Sequence, residues 1–459
     1  MDKATCIVVG AGPAGAACAH ALAKKGIDTV MLERGREPGE KNVAAFVMFT
    51  AVLEHLIPDF MKDAPFERNI IRTDQVLLGE RDVKLLTSFN YERLEHPISF
   101  TAFRGSFDSW FAQKAVDAGA QLVTGMKATD LIMDGSRVVG IKVDDEELYA
   151  DVVVGADGYH SMVGEKARLI REWSPDKCSL GVKEVLDLPP EVIDERFQLS
   201  DGIGCEMGLF GYHLNGLNFT AATIYTNTDS VGVGAYARPS ELADKHIKLH
   251  EQLEALKQHP YIRNLVRGAT LREYSAHILS DGGQVEPKNL YGDGVLLCGE
   301  AGGTMEAGTG MGVPICMLSG MMAAETIEDA VKKKDFSARM LKNYLRYLDS
   351  TTLLDMVRKS RKTSSYFAGK GATAVPAYMK AAADTFNKSW ESDVDYISKE
   401  SHPLLVNLYL KIGQDLLPRL LRWPINAVIR ISNFHASAAE KIRRKVRSHY
   451  YEWKEQPHS

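Results

Sequence analysis

The sequence predicts an α/β protein in which a dinucleotide-binding domain is split by an antiparallel β domain and followed by a helical region. Three observations carry this. An apolar run, Cys6-Ile7-Val8-Val9, leads straight into Gly10-Ala11-Gly12-Pro13-Ala14-Gly15. Alternating strand patterns gather between about 178 and 285. A second glycine-rich turn with a small-residue helix follows at 293–329.

The first segment is the most specific. A short continuous apolar run reads as a parallel strand buried on both faces. Residues Ala16 to Lys25 read as a helix ended by Gly26, and Asp28 to Leu32 as a second strand closing on Glu33. A Gly-x-Gly-x-x-Gly turn between strand and helix, with an acidic residue ending the next strand, is a Rossmann-like fingerprint. Its glycines permit the tight turn, the approach of a pyrophosphate to backbone N–H groups, and close helix–sheet packing. Glu33 is placed to accept from an adenosine ribose hydroxyl. The fingerprint alone does not choose between FAD and NAD.

Arg104 to Ala118 reads as an amphipathic helix closed by Gly119, and Gln121–Thr124 as a strand. A meander follows: Ala128–Met133, Val138–Val143 and Glu147–Ala150, with turns at Asp134-Gly135 and Asp144-Asp145. It runs into another buried strand that ends in Gly155-Ala156-Asp157-Gly158. Within the inserted domain, Leu217–Thr226 and Val231–Ala237 flank a turn and predict a hairpin. Gly232-Val-Gly234-Ala-Tyr-Ala237 matches a nucleotide fingerprint formally. It lies inside a strand alternation and has no acidic second strand, so it is not read as a nucleotide site. The strand Gly294–Leu297 then precedes Gly299-Glu300, and the loop Gly302–Gly312 enters a helix over Val313–Asp329. A helix N-terminus entered by such a loop suits the electron-rich edge of a flavin.

The chain has 459 residues, and its composition is that of a globular protein, 45% apolar and 25% charged. With 55 basic and 60 acidic residues, no nucleic-acid partner is expected. The six cysteines neither cluster nor form a C-x-x-C pair, which argues against a zinc or iron–sulfur site. They are expected to be buried thiols. No signal-peptide pattern opens the chain and no stretch is apolar enough to span a bilayer. The expectation is a cytoplasmic protein, with contact at the inner face of the membrane.

Taken together, these segments resemble flavoproteins of the group containing p-hydroxybenzoate hydroxylase and geranylgeranyl reductase. Within that group the chain is most similar to electron-transfer flavoprotein:quinone oxidoreductases, in particular the bacterial Fix-type flavoprotein dehydrogenases. The residues that carry this include Lys41-Asn42-Val43, Val52 to Phe60, Arg104 with Asp108 and Trp110, and Leu180-Gly181-Val182-Lys183-Glu184-Val185. Tyr274 to Ile278 and Leu290 to Val295 belong to the same set.

The resemblance implies FAD as cofactor and a glutathione-reductase or p-hydroxybenzoate-hydroxylase type of FAD domain. It divides the chain into residues 1–177 and 289–386 for the FAD domain, 178–288 for an antiparallel β substrate or quinone domain, and 387–459 for a basic, amphipathic helical region. It places Gly10, Gly12, Pro13, Ala14, Gly15, Glu33, Arg34, Lys41, Asn42 and Arg104 around the adenosine and diphosphate. Asp157 and Gly158 belong to the FAD domain's second turn. Gly299, Glu300, Gly308, Gly310, Met311 and Gly312 lie by the ribityl chain and ring.

Three positions depart from the family pattern. Ala44-Ala45 replaces two glycines, Glu300 replaces an aspartate, and Ala307-Gly308-Thr309-Gly310 replaces Glu-Gly-Thr-Asn. The implied partners are an electron-transfer flavoprotein, a quinone, and a small ferredoxin-like iron–sulfur subunit, since no cysteine follows Cys316. Near the end, Leu416 to Pro424 and the helix pattern around Lys441, Arg443, Arg444, Lys445 and Arg447 suit an anionic membrane surface, a helix packed on the body with a solvated basic face, or a docking surface for an acidic partner. No catalytic acid or base is required for electron transfer, and none is assigned. Two other functions stay open at this point: a reductase or dehydrogenase of the geranylgeranyl-reductase type, and a flavin-binding subunit of a larger redox complex.

Overall fold

The computed structural model describes residues 3–41, 45–90, 98–170, 175, 178–200, 202–211, 220–280, 286–305, 312–351 and 353–354. The helical region expected over 387–459 lies outside these.

The chain opens with β1 (Ala4–Val9), α1 (Pro13–Ala23) and β2 (Thr29–Glu33). Next come β3 (Ala45–Phe49), α2 (Ala51–Leu56), β4 (Phe66–Leu78), β5 (Val83–Asn90) and β6 (Ser99–Phe103). Then follow α3 (Arg104–Asp117), β7 (Gln121–Thr124), β8 (Ala128–Asp134), β9 (Arg137–Val143), β10 (Glu146–Gly155) and α4 (Met162–Lys166). The middle third holds β11 (Cys178–Asp187), α5 (Pro190–Phe197), β12 (Ile203–Gly211), β13 (Thr220–Thr226) and β14 (Ser230–Ala237). It continues through α6 (Pro239–Asp244), α7 (Leu249–Gln258), α8 (Pro260–Val266) and β15 (Thr270–Ser280). Last come β16 (Tyr291–Gly292), β17 (Val295–Leu297), α9 (Gly312–Lys333), α10 (Ala338–Leu341) and α11 (Asn343–Ser350).

Two sheets organise these elements. The first runs β16-β17-β10-β1-β2-β7, with β17, β10, β1, β2 and β7 parallel, and the meander β8–β9 joined to β10. The run Cys6 to Val9 is apolar throughout because both faces are covered. Cys6 and Val8 face a core shared with α1, α3 and α9. Ile7 and Val9 face the core beneath the meander.

Helix α1 sits unusually close to its neighbours. A Cβ on Gly320 of α9 would lie 2.1 Å from the Ala14 carbonyl oxygen, and one on Gly15 would lie 1.9 Å from the Gly10 oxygen. Lys25, just past the end of α1, donates to Glu325 of α9 at 2.6 Å.

The second sheet runs β15-β11-β14-β13-β12-β4-β6-β3, with β5 on β4. It contains the hairpin predicted around 227–230, now β13–β14. The formal Gly232–Ala237 fingerprint is the body of β14. The sheet also takes four strands from residues 45–103, a stretch for which sequence periodicity gives no strand. One reason lies in β4: Arg68, near the start of the strand, is only 3% exposed. It is satisfied by Asp194 and by the carbonyl oxygens of Asn227, Ile203 and Thr228. A buried arginine reads as a solvent position in sequence, and only its long-range partners explain it.

Val182, Leu186, Met207, Ile224, Val231 and Val233 point to one face of this sheet, where they form a core with α5 to α8. The helix predicted over 313–329 spans 312–333.

Since Gly320 meets backbone rather than a movable side chain, Gly320→Val is expected to cost about 3 kcal/mol of folding stability, measured as a lowered denaturation midpoint.

Candidate active site

The parallel strands deliver three turns to one edge of the first sheet. The Gly10 N–H donates to the Leu32 oxygen at 2.8 Å, the Ala156 N–H to Val9 at 2.9 Å, and the Cys298 N–H to Gly155 at 2.9 Å. These bonds place the Gly10–Gly15, Gly155–Gly158 and Gly299–Gly303 turns side by side. The third turn touches the first: a Cβ on Gly299 would lie 2.6 Å from the Ala14 Cβ. The Gly299 N–H donates to Ser319 Oγ of α9 at 2.7 Å.

The turn at the start of α1 has the form of an anion site. Gly10 has φ +106°, a conformation that favours glycine. No side chain caps α1, whose first residue is a proline without an N–H to satisfy. The first-turn N–H groups and the positive helix end therefore face outward. A Cβ at Gly12 would meet nothing within 4 Å, so space lies in front of it. These features fit a dinucleotide pyrophosphate.

Glu33 ends β2 as predicted. Its carboxylate accepts from the Ala11 N–H at 3.1 Å and from the Gly35 N–H at 2.7 Å, which ties the second strand to the glycine turn. Arg34 and Lys41 are exposed near this end. Arg104 opens α3 and grips Asp108 with two bonds, 3.0 and 2.8 Å, while its guanidinium lies 5.5 Å from the Phe46 ring centroid. Burial pulls the guanidinium pKa down; Asp108 outweighs this and the net shift is upward, with Cys316 and Glu300 adding to it. Arg104 thus lies within the electrostatic reach of the third turn.

Asp157 has a local task. Its carboxylate accepts from Ser161 Oγ at 2.6 Å and from the Val163 N–H at 3.0 Å, at the start of α4. Burial raises its pKa against those two bonds. Gly158 follows it in the turn.

Glu300 reaches the second sheet. It accepts from the Ser280 N–H of β15 at 2.8 Å, and its other oxygen lies 3.9 Å from His277 Nε2. An aspartate, one methylene shorter, would not span this gap from the same backbone. Nearby Cys316 is pushed up to about 12 by burial, with Glu300 adding and Arg104 opposing, so it stays a neutral thiol at pH 7. Gly312 begins α9. Asn42, Gly308, Gly310 and Met311 lie outside the described residues.

The loops thus bring together Gly10, Gly12, Gly15, Glu33, Arg104, Gly299 and Glu300. What sequence reasoning left out is the face of the second sheet opposite its helices, which carries Lys183, Glu206, Thr223 and Tyr236. These are half-buried where their strand neighbours facing the helices are fully buried. The signal was there as glycines alternating with apolar residues along β14 and as Glu206 between Gly204 and Gly208 on one face of β12.

Comparison with known proteins agrees with this geometry. A family model described as an FAD binding domain matches residues 3–195. Protein FixC of Escherichia coli strain K12 is 35% identical over 353 residues, covering 76% of this chain and 82% of its own. The probable electron transfer flavoprotein-quinone oxidoreductase YdiS of the same strain is 33% identical over 396 residues, covering 85% and 91%. A crystal structure of a geranylgeranyl bacteriochlorophyll reductase-like protein from Thermoplasma acidophilum shares the fold, with a TM-score of 0.69, 20% identity, and 84% and 91% coverage. Fold, fingerprint and relatives define an FAD-dependent oxidoreductase. Among these, the chain belongs to the family of FixC and the electron transfer flavoprotein-quinone oxidoreductases.

A side chain at position 12 would occupy the space in front of α1 without touching the protein. Gly12→Val is therefore expected to keep the fold and melting profile of the apoprotein while losing FAD. Loss of two charge-assisted bonds at about 1.5 kcal/mol each predicts roughly 100-fold weaker binding, read from the flavin-to-protein ratio after dialysis.

Proposed function

We propose that this chain takes electrons from a reduced electron-transfer flavoprotein and passes them to a quinone or to a small ferredoxin-like iron–sulfur subunit. The observation that carries this is the similarity over 91% of the length of YdiS, a relative named as a probable electron transfer flavoprotein-quinone oxidoreductase. Bound FAD supplies the one- and two-electron chemistry. The chain's own residues bind it, orient it and keep water away.

In this reading Gly10, Gly12, Pro13, Ala14 and Gly15 form the diphosphate turn. Glu33, Arg34, Lys41, Asn42 and Arg104 hold the adenosine side, and Asp157 with Gly158 shapes the second turn. Gly299, Glu300, Gly308, Gly310, Met311 and Gly312 border the ribityl chain and ring. Support comes from the outward-facing N-terminus of α1 and the open space before Gly12. Among the described residues no helix is long and apolar enough to cross a membrane. Contact with a membrane at its inner face rests on the basic residues 441–447, which lie outside the described residues.

The test supplies reduced electron-transfer flavoprotein and scores a soluble quinone against prenyl and enone acceptors. Quinone reduction that depends on the donor is expected. Reduction of the carbon–carbon double bond without quinone turnover would replace this reading with the geranylgeranyl-reductase type. Retained FAD with no turnover on any acceptor would make the chain a binding subunit.

A further inference from the structure

The face of the second sheet turned away from its helices carries a polar cluster that the flavin loops do not use, beside a packed patch where Ala45 of β3 covers Val185 and Tyr225. Strand register sets Lys183, Gly234, Thr223, Gly208 and Gln75 side by side in one row across the sheet. The adjacent row is Val185, Gly232, Tyr225, Glu206 and Thr73. The glycines make room. A Cβ on Gly232 would lie 2.2 Å from the Tyr225 ring, one on Gly181 would lie 2.9 Å from the Tyr236 ring, and one on Gly234 would lie 3.0 Å from the Lys183 stem. The rings and the lysine therefore lie flat against the sheet.

Lys183 Nζ donates to the Ala45 oxygen at 2.9 Å, and Tyr225 and Tyr236 both act on its charge. It also sits 5.4 and 6.0 Å from their ring centroids. Tyr225 Oη donates to the same Ala45 oxygen. Tyr225 is only 3% exposed. Lys183, Tyr236 and Glu206 stay half-buried at the margin of the packed patch formed by Ala45, Val185 and Tyr225. Two links tie it to the flavin loops. His277 pairs with Gly181 and faces Glu300. Ala45 pairs with Phe103, the residue before Arg104.

We infer that this face is the acceptor site and that Glu206 donates a proton to a carbonyl oxygen of a quinone reduced at the flavin, with Lys183, clamped by Tyr225 and Tyr236, as the positioning residue. This rests on the quinone reading above. The quinone gains two protons and two electrons; bound FAD would supply the electrons, and the proton released on its reoxidation leaves to water. One proton leaves the Glu206 carboxyl as a new O–H bond forms on the quinone, and the other comes from water. The carboxylate, which is half-buried, then regains its proton from water. The electron-transfer flavoprotein restores the two electrons.

The environment supports a proton poised for transfer. Desolvation raises the Glu206 carboxyl to about 7, with Lys183 opposing. The other titratable groups near it are Tyr225 on the neighbouring strand and Cys205 on the opposite face. Burial and the two tyrosines act on Lys183 in opposite senses, and the tyrosines leave its pKa raised, so it stays cationic. A carboxylic acid near neutrality suits general acid catalysis at physiological pH.

The experiment uses the full-length, FAD-loaded protein, photoreduced and mixed anaerobically with a short-chain ubiquinone over a pH series. Wild-type reoxidation should slow as pH rises above about 7, where Glu206 loses its proton. Glu206→Gln should lower the low-pH rate about 100-fold and flatten the profile. Infrared difference titration gives a readout apart from activity. A protonated-carboxyl band should titrate near 7 in the wild type, vanish in Glu206→Gln, and shift its midpoint upward in Lys183→Met. Should Glu206→Gln fail to retain FAD, the Lys183→Met midpoint decides the matter. A wild-type protein that reduces the quinone, with a Glu206→Gln profile of unchanged shape or no such band, overturns the inference alone. A photoreduced wild type that reacts with ferricyanide and not with the quinone removes the proposed function as well.

Discussion

Backbone contact along α1 is the constraint on which the molecule's other features rest. The helix is held against the sheet at Gly15 and against α9 at Gly320, and its first turn meets Gly299. Ala16, Ala17 and Ala19 are completely buried within this contact. Helices that approach this closely leave no room for side chains between them. The consequence is positional. Strand β1 ends where α1 begins, and α9 packs beside α1, so turns far apart in sequence meet at one helix N-terminus. The same closeness leaves the first-turn N–H groups without a side-chain cap. In the proposed reading the diphosphate of FAD supplies the charge that satisfies them.

A second constraint joins the two sheets. Glu300 sits on a turn of the first sheet and accepts from the Ser280 backbone of the second. The extra methylene relative to the family's aspartate reaches a partner on another sheet. Arg104 does similar work from the other side: it opens α3, pairs with buried Asp108 and lies over Phe46 of β3. Glu300 joins the dinucleotide edge to the antiparallel sheet, and Arg104 joins α3 to β3, each by a charged side chain whose partner is mostly or wholly withdrawn from water. Removing one partner of such a contact leaves an unsatisfied group, which costs more than the contact contributes.

The glycines of β14 show how a motif can be read correctly in one sense and incompletely in another. Gly232-Val-Gly234-Ala-Tyr-Ala237 has the letters of a nucleotide fingerprint, and its strand context excludes that use. The glycines accommodate the Tyr225 ring and the Lys183 stem lying across the sheet. Nothing local to residues 232–237 announces this. Tyr225 comes from the next strand of the hairpin, and Lys183 from a strand about fifty residues earlier. Likewise β4 escapes detection because Arg68 breaks its apolar pattern, and its partners lie on α5 and in the turn between β13 and β14.

The amino-acid sequence alone determined the strand–turn–helix units, the meander, the hairpin and the family. Each of these is set by conformational demands within a few consecutive residues: a left-handed turn, a period of two, a small-residue helix face. The tertiary structure decided which turns share an edge, that Glu300 crosses to β15, and that Lys183, Tyr225, Tyr236 and Glu206 meet. Those outcomes depend on pairing between distant strands. A shift of one residue in register would turn every side chain in the row to the other face, and spacing along the chain does not encode that choice.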